Sequence, residues 1–335
     1  MIKEKTLGVF IGRFQPIHNG HYEVLKKAIN DYEQVLVLVG SSEAPVSLRN
    51  PFDFQTRVNM ISSGSILDKN PFVAGVPDSA YDFNKWLHNV QSIIDSHCRK
   101  IGLEKAAIIG YYKDAGSFWL NHFPQYEFDN IQGRYQLNAT DVRRLYFSGD
   151  NKWKELVPPM AAAVMEEWTF TKDYSKLANE QKFVDNYKAK WADAPFPPIF
   201  VTVDSLVICR GHVLVIKRGR NPHKDMYALP GGFVNQHETL RDSAIRELKE
   251  ETQISVARPI LENCVKQVKV FDAINRDDRG RAISHTHVFD LNVKNWPTVK
   301  AADDANDAMW MSFNDVDKYK REFAFDHYQI IKNLI

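Results

Sequence analysis

The sequence predicts an α/β protein in two parts, an N-terminal domain built on an open parallel sheet and a C-terminal α+β domain. Three observations carry this. The chain has 335 residues, and at about 150 residues per domain that length favours two domains. Its opening third alternates strand-sized apolar runs with helical periodicity, the pattern of βαβ units. After a proline-rich stretch the apolar runs become shorter and closer together, around one dominant helix.

Taken in order, residues 7–11 (LGVFI) read as a buried strand, a Gly12-Arg13-Phe14 loop follows, and helical periodicity runs from Gly20 to Tyr32. Residues 35–39 form a second strand and residues 106–109, ending at Gly110, a third. In such a parallel sheet ligands belong at the carboxyl ends of the strands. Residues 158–191 turn helical and polar and read as a connector. Residues 192–198 then hold three prolines in seven positions, which ends the helix and stiffens the chain. The N-terminal domain is therefore expected at 1–171, a helical connector and proline-rich linker at 172–198, and the C-terminal domain at 199–335. In the latter, strands are expected at 199–203, 206–209, 213–216, 265–271 and 286–291, with a helix near 239–252. There is no internal repeat and no low-complexity tract.

Composition narrows the function classes. Hydrophobic residues at 44% and charged residues at 25% are ordinary globular values, which sets aside disorder, collagen-like repeats and coiled coil. With 43 Lys+Arg against 42 Asp+Glu, no global field draws the chain to nucleic acid or an acidic membrane, so any phosphate binding is local. Cys98, Cys209 and Cys264 are far apart and never in CxxC spacing, which argues against a zinc site or a disulfide framework and fits a reducing, cytoplasmic setting. Met1-Ile2-Lys3-Glu4-Lys5 opens too polar a segment for a signal peptide, and the apolar runs fall short of the roughly 18 residues of a membrane helix. A soluble protein with small-molecule partners is expected; a homo-oligomer stays open.

Between the first strand and the first helix lies Gly12-Arg13-Phe14-Gln15-Pro16-Ile17-His18-Asn19-Gly20-His21. Gly12 permits close backbone approach, and the N–H groups at the helix start offer a favourable potential for phosphate. Nothing matches the GxxxxGK[ST] loop, so other donors must meet the phosphates. His18 and His21, three apart, lie on one helix face and can reach a single polyphosphate. The plain alternative is a pair of histidines that cap the helix. The whole string resembles the signature of the nucleotidyltransferases that carry an HxGH motif, on a Rossmann-like domain. That resemblance implies that both histidines stabilise the transferring phosphoryl group of ATP. Asn138-Ala139-Thr140-Asp141-Val142-Arg143 resembles the ISSTxxR motif of the same superfamily, with Asn138 where serine is usual, and implies that Thr140 and Arg143 contact the triphosphate. By itself a Thr-x-x-Arg is a capped helix with a surface arginine. The implied ATP site is Gly12, Arg13, Phe14, His18, His21, Gly110, Thr140 and Arg143.

Gly40-Ser41-Ser42, Arg49-Asn50-Pro51-Phe52 with Arg57, and Pro77-Asp78 followed by Asn84 and Trp86 are similar to the nicotinamide mononucleotide (NMN) adenylyltransferases. So is Gly110-Tyr111-Tyr112-Lys113-Asp114, in which Lys113 has no assigned role. The resemblance implies an NMN site of Arg49, Asp78, Asn84 and Trp86, with the tryptophan against the nicotinamide ring. An aromatic face suits a flat ring and Asp78 can accept from a carboxamide; core packing on an amphipathic helix accounts for Trp86 equally well. The implied reaction is in-line attack of the NMN phosphate on the α-phosphorus of ATP, with Mg²⁺ on the triphosphate, no covalent enzyme intermediate, and NAD and pyrophosphate as products. A different phosphate acceptor is the alternative.

The second constellation is Gly232-x5-Glu238-x7-Arg246-Glu247-Leu248-x-Glu250-Glu251-x-Gln253-Ile254. On a helix, Glu247, Glu250 and Glu251 form one acidic ridge beside an apolar stripe of Ala244, Ile245 and Leu248. Carboxylates so close repel one another, and a hard divalent cation relieves the repulsion; a solvated acidic face is the plain alternative. Preceded by Leu229-Pro230-Gly231-Gly232-Phe233, the string resembles the Nudix box GX5EX7REUXEEXGU at every fixed position but Gln253. Glycine normally ends that helix with positive φ, so glutamine costs about 1 kcal/mol or forces another cap. The resemblance implies Mg²⁺ or Mn²⁺ on Gly232, Glu247, Glu250 and Glu251, with Arg246 orienting the ridge and Glu238 as a secondary ligand or structural contact.

From end to end the chain resembles the bifunctional NMN adenylyltransferase/Nudix hydrolase proteins, which implies ADP-ribose as second substrate, cleaved to AMP and ribose 5-phosphate. Gly280-Arg281-Ala282-Ile283-Ser284-His285 and Asp303-Asp304-Ala305 with Trp310 fit that group without assigned roles. The alternative of another class is a Nudix-like metabolite sensor, against which stands the lack of a basic recognition helix.

Overall fold

The computed structural model describes residues 3–62, 70–110, 115–131, 137–293 and 295–335. Tyr111, Tyr112, Lys113 and Asp114 lie outside the described residues. The chain divides into two compact units, Met1–Gln181 and Lys182–Ile335.

The first unit runs β1 (Lys3–Gly12), α1 (Asn19–Asp31), β2 (Tyr32–Val39), α2 (Phe54–Ser62), β3 (Phe72–Gly75), α3 (Phe83–Ile101), β4 (Lys105–Gly110), β5 (Glu127–Asn130), α4 (Ala139–Ser148) and α5 (Pro159–Trp168), and enters α6 (Lys172–Ala189), which passes the point of division. Its five strands lie in the order β3-β2-β1-β4-β5, every neighbouring pair parallel. This is the Rossmann-like arrangement, and β1 is its centre because Leu7 and Val9 are fully buried. The apolar stripe of α3, Val90, Ile94 and Cys98, packs on Leu7, Val9, Ile11, Leu36, Leu38 and Ile108. β3 and β5 have no counterpart among the sequence-predicted strands. Each is four residues long at a sheet edge and largely unburied, so neither carries the continuous apolar run that marks a central strand. Strand order reverses between β2-β1 and β4, which brings the ends at Gly12 and Gly110 beside a single crevice.

The second unit contains β6 (Ile199–Cys209), β7 (His212–Arg218), β8 (Tyr227–Ala228), β9 (Gly231–Phe233), α7 (Leu240–Thr252), α8 (Arg258–Asn263), β10 (Val265–Phe271), β11 (Arg281–Asp290), β12 (Ala305–Ser312), α9 (Phe313–Lys318) and α10 (His327–Leu334). The sheet order is β10-β11-β6-β7-β12, with β8 on β7 and β9 on β6. β11 and β6 run parallel and the other pairs antiparallel, a mixed α+β sheet. Ala244, Ile245 and Leu248 of α7 pack on Val203, Val207, Leu214 and Phe289. Two strands expected at 199–203 and 206–209 are one. Asp204 and Ser205, which read as a break, are buried within β6 because both find partners: Ser205 donates to the Ala244 carbonyl at 3.0 Å, and Asp204 accepts from the Ser284 hydroxyl. A buried polar pair of this kind is tolerated only when satisfied. Among the described residues no helix is long and apolar enough to cross a membrane.

Candidate active sites

In the first unit the loop after β1 turns sharply. Phe14 stands in the left-handed region at φ 52° and turns its ring back under Gly12, where a Cβ would meet it at 2.9 Å and push the ring aside; glycine avoids that displacement. His18 is the N-cap of α1. Its Nδ1 accepts the His21 N–H at 3.3 Å, and His21 Nδ1 accepts the His18 N–H at 3.4 Å, a capping box made of two imidazoles. The rings stack with centroids 3.6 Å apart, and Phe14 packs edge-on against His21 at 5.0 Å. With both Nδ1 atoms committed as acceptors, the neutral form of each ring carries its proton on Nε2. Capping and phosphate donation are thus compatible roles for one pair.

The cations gather on the same loop. Arg143, from the second turn of α4, donates to the Gln15 carbonyl at 2.8 Å and to Thr140 Oγ1 at 3.2 Å. Asn138 caps α4 by accepting the Thr140 N–H at 3.0 Å, so the departure from serine keeps the cap. Arg13 is buried deeply enough to bring its pKa down to about 9, with Arg49 and Arg143 lowering it further and Asp78 opposing them. Its Nη1 is buried without a hydrogen-bond partner among the described residues. A desolvated guanidinium beside two further arginines is a site that an anion relieves.

Two residues quoted without a role hold this loop. Gln15 exchanges hydrogen bonds with the Phe52 backbone at 2.8 and 3.0 Å. Arg57, 1% exposed, donates to the carbonyls of Arg13, Gly40, Ser41 and Asp53 at 2.8, 2.6, 3.0 and 3.2 Å. No periodicity marks such clamps, since most of their partners are backbone atoms of loops distant in sequence.

Asp78 is exposed and accepts from Ser41 Oγ at 3.0 Å, which places it with Arg13 at the ends of β1 and β2. Asn84 is exposed on the first turn of α3. Trp86 lies in an aromatic group, stacked with Phe83 at 5.8 Å and edge-on to Trp119 at 5.8 Å, and packs against the α3 core. Thr140 is exposed and Gly110 buried at the end of β4.

In the second unit α7 starts at Thr239, which caps Asp242 N–H at 3.2 Å, and ends at Gln253, which takes the left-handed conformation itself, φ 44°, and donates to the Lys249 carbonyl at 2.9 Å. Between these caps Arg246 ties the ridge together. It grips Glu238 with two bonds of 2.7 and 3.0 Å, and its Nη1 reaches Glu247 and Glu250, each at 2.8 Å. These carboxylates hold its pKa above the ordinary arginine range.

β9 brings two glycines against the ridge. Gly231 donates its N–H to Glu251 Oε2 at 2.8 Å, and a Cβ on Gly232 would meet Glu247 Oε1 at 2.5 Å. Burial pushes the Glu251 carboxyl up to about 8, against the Gly231 hydrogen bond; burial also raises Glu247, which Arg246 opposes and Glu250 and Asp303 reinforce. Glu247 and Glu250 share the Arg246 Nη1, and Glu251, 4% exposed, follows them on the same helix beside the β9 backbone; carboxylate and carbonyl oxygens are the donor type that suits a hard divalent cation.

Residues 9–176 match the family model described as cytidylyltransferase-like, and residues 199–334 match that of the NUDIX domain. Among solved structures the chain is similar to that of a bifunctional NMN adenylyltransferase/ADP ribose pyrophosphatase from Francisella tularensis, complexed with AMP and a Mn ion. The two share 33% identity, with a TM-score of 0.90 over 98% of each chain. It is also similar to an ADP-ribose pyrophosphatase of Methanocaldococcus jannaschii, 34% identical over 49% of this chain and 86% of the relative, and to a nicotinamide-nucleotide adenylyltransferase of Saccharolobus solfataricus, 30% identical over 48% of this chain and 90% of the relative.

Proposed function

The chain belongs to the family of bifunctional NMN adenylyltransferase/ADP-ribose pyrophosphatases, a cytidylyltransferase-like domain followed by a Nudix domain, and from that premise we propose that it makes NAD and pyrophosphate from NMN and ATP at one site and cleaves ADP-ribose to AMP and ribose 5-phosphate at the other. The observation that carries this is the likeness to one two-domain enzyme along nearly the whole chain, with both sites' charged residues assembled as described. Adenylyl transfer belongs to residues 1–171 and hydrolysis to 199–335, joined by 172–198.

In the first site the chain positions and neutralises. His18 and His21 present Nε2–H donors from one stacked pair, and Arg13, Arg49 and Arg143 surround the same loop with positive charge. Such donors stabilise charge that grows on the α-phosphoryl oxygens as the NMN phosphate attacks and pyrophosphate leaves. Thr140 and the Gly12–Gly110 crevice hold the nucleotide; Arg49, Asp78, Asn84 and Trp86 face the acceptor.

In the second site Glu247, Glu250, Glu251 and the Gly232 carbonyl would hold a divalent cation, Mg²⁺ or Mn²⁺, which would supply Lewis acidity toward the diphosphate. Arg246 keeps two of the carboxylates in register through its shared Nη1, and Gly231 N–H keeps the third.

The test is a pair of assays on the purified chain: dinucleotide and pyrophosphate formed from ATP with NMN, its deaminated analogue or other phosphorylated acceptors, and AMP released from ADP-ribose with Mg²⁺ or Mn²⁺. NMN as the preferred acceptor and metal-dependent AMP release are expected. A chain that adenylylates a different acceptor, or binds ADP-ribose without cleaving it, sinks the corresponding half.

A further inference from the structure

The glycines that approach the carboxylate ridge belong to the segment Leu229-Pro230-Gly231-Gly232, which leads into β9, and that segment is held from a residue far along the chain. The Leu229 N–H, buried with its residue at 1% exposure, donates to His327 Nδ1 at 2.8 Å across 98 positions of sequence. A buried backbone N–H needs an acceptor, and the imidazole provides it. The Pro230 carbonyl accepts from Ser205 N–H at 2.8 Å, and Gly231 pairs with Asp204 across β9 and β6.

His327 is itself fixed. Its Nε2 faces Asp204 Oδ1 at 3.7 Å, an ion-pair rather than hydrogen-bond distance, and Asp204 is held in turn by the Ser284 hydroxyl. Arg276 grips Asp326, the neighbour of His327, with bonds of 3.0 and 2.9 Å and lies 3.6 Å from Asp204. Burial lowers the His327 pKa, with Asp204 opposing, and the neutral ring that results can accept at Nδ1. Ser284, from a segment without an assigned role, thereby acquires one.

We propose that His327 is a positioning residue for the cation site, setting the Leu229–Gly232 segment so that Gly231 and Gly232 of β9 meet the ridge of α7. The proposal rests on Gly232, Glu247, Glu250 and Glu251 being the ligands. It differs from a general packing role because a phenylalanine fills the same space and cannot accept, whereas an asparagine oxygen lies near the Nδ1 position.

The experiment is a Mn²⁺ titration of the full chain followed by electron paramagnetic resonance, with binding that survives in Glu250→Gln subtracted. ADP-ribose hydrolysis is measured against Mn²⁺ concentration and NAD synthesis is measured in parallel. His327→Phe is expected to weaken Mn²⁺ binding about ten- to a hundredfold, His327→Asn to recover most of it, and both to leave NAD synthesis unchanged. Should His327→Phe not fold, Ser284→Ala is expected to shift Mn²⁺ binding the same way by a smaller factor. Unchanged binding in His327→Phe, in Ser284→Ala where that variant stands in, or an asparagine variant no better than phenylalanine overturns the proposal. Because the titration reads the ion directly, a wild-type chain that binds Mn²⁺ but does not cleave ADP-ribose counts against the proposed activity alone.

Discussion

His18 and His21 stack ring on ring, 3.6 Å between centroids, while each Nδ1 accepts the other's backbone N–H. One pair of side chains both ends the loop after β1 and orients two Nε2–H donors. Removing either ring therefore costs a helix cap as well as a donor. His18→Ala is expected to lower NAD synthesis by about 10²–10³-fold with ADP-ribose hydrolysis near wild type, and to cost about 1 kcal/mol of stability in the first unit. Parallel rate assays check this; equal loss of both activities counts against separate sites.

Arg57 by itself satisfies four backbone carbonyls. A lysine keeps the charge but loses the planar fork. Arg57→Lys should raise KM for ATP or NMN several-fold and lower the melting temperature of the first unit, leaving hydrolysis intact. A wild-type KM would mean that the clamp does not set the nucleotide loop.

Glu250 is held by Arg246 and remains partly exposed, so its neutral amide folds without strain. Glu250→Gln is expected to reduce metal-dependent hydrolysis by more than about a hundredfold and to spare NAD synthesis. A variant that still hydrolyses at full rate would falsify the ligand assignment.

Gly232 has no room for a methyl group, since its Cβ would stand 2.5 Å from Glu247 Oε1. Gly232→Ala must push that carboxylate aside, and a shift of this size in a metal-binding group should cost about 10²-fold in hydrolysis. Metal-dependence curves would show it as a raised Mn²⁺ requirement.

Gln253 holds φ 44° at the end of α7 with its N–H bonded to Lys249. Glycine adopts that conformation without a Cβ clash, so relief of about 1–2 kcal/mol, less about 0.4–1 kcal/mol for the greater freedom of glycine in the unfolded chain, should leave Gln253→Gly a net gain of about 0.5–1 kcal/mol in the second unit. Calorimetry of the full chain reads this as a rise of about 1–4 °C in the second unit's transition; a fall sinks the account.

Local order in the chain determined much of this protein. The apolar runs that became β1, β2 and β4, the box from Gly232 to Ile254 with its caps, and the string from Gly12 to His21 each place their chemistry within one strand–loop–helix step, where spacing alone decides which side chains share a face. What the sequence could not express is contact between distant segments. Asp204 and Ser205 read as a break until Ser284 and the Ala244 carbonyl supply partners; Gln15 and Arg57 have no role in the sequence until they close on backbone atoms of distant loops. Trp86 suited a flat ring or a core with equal merit, and only folding set it beside Phe83 and Trp119. His327 gives no sign in sequence of its bond to Leu229. Periodicity records which way a residue faces along its own element, but the free energy of a buried polar group depends on a partner that only the packed sheet brings within 3 Å.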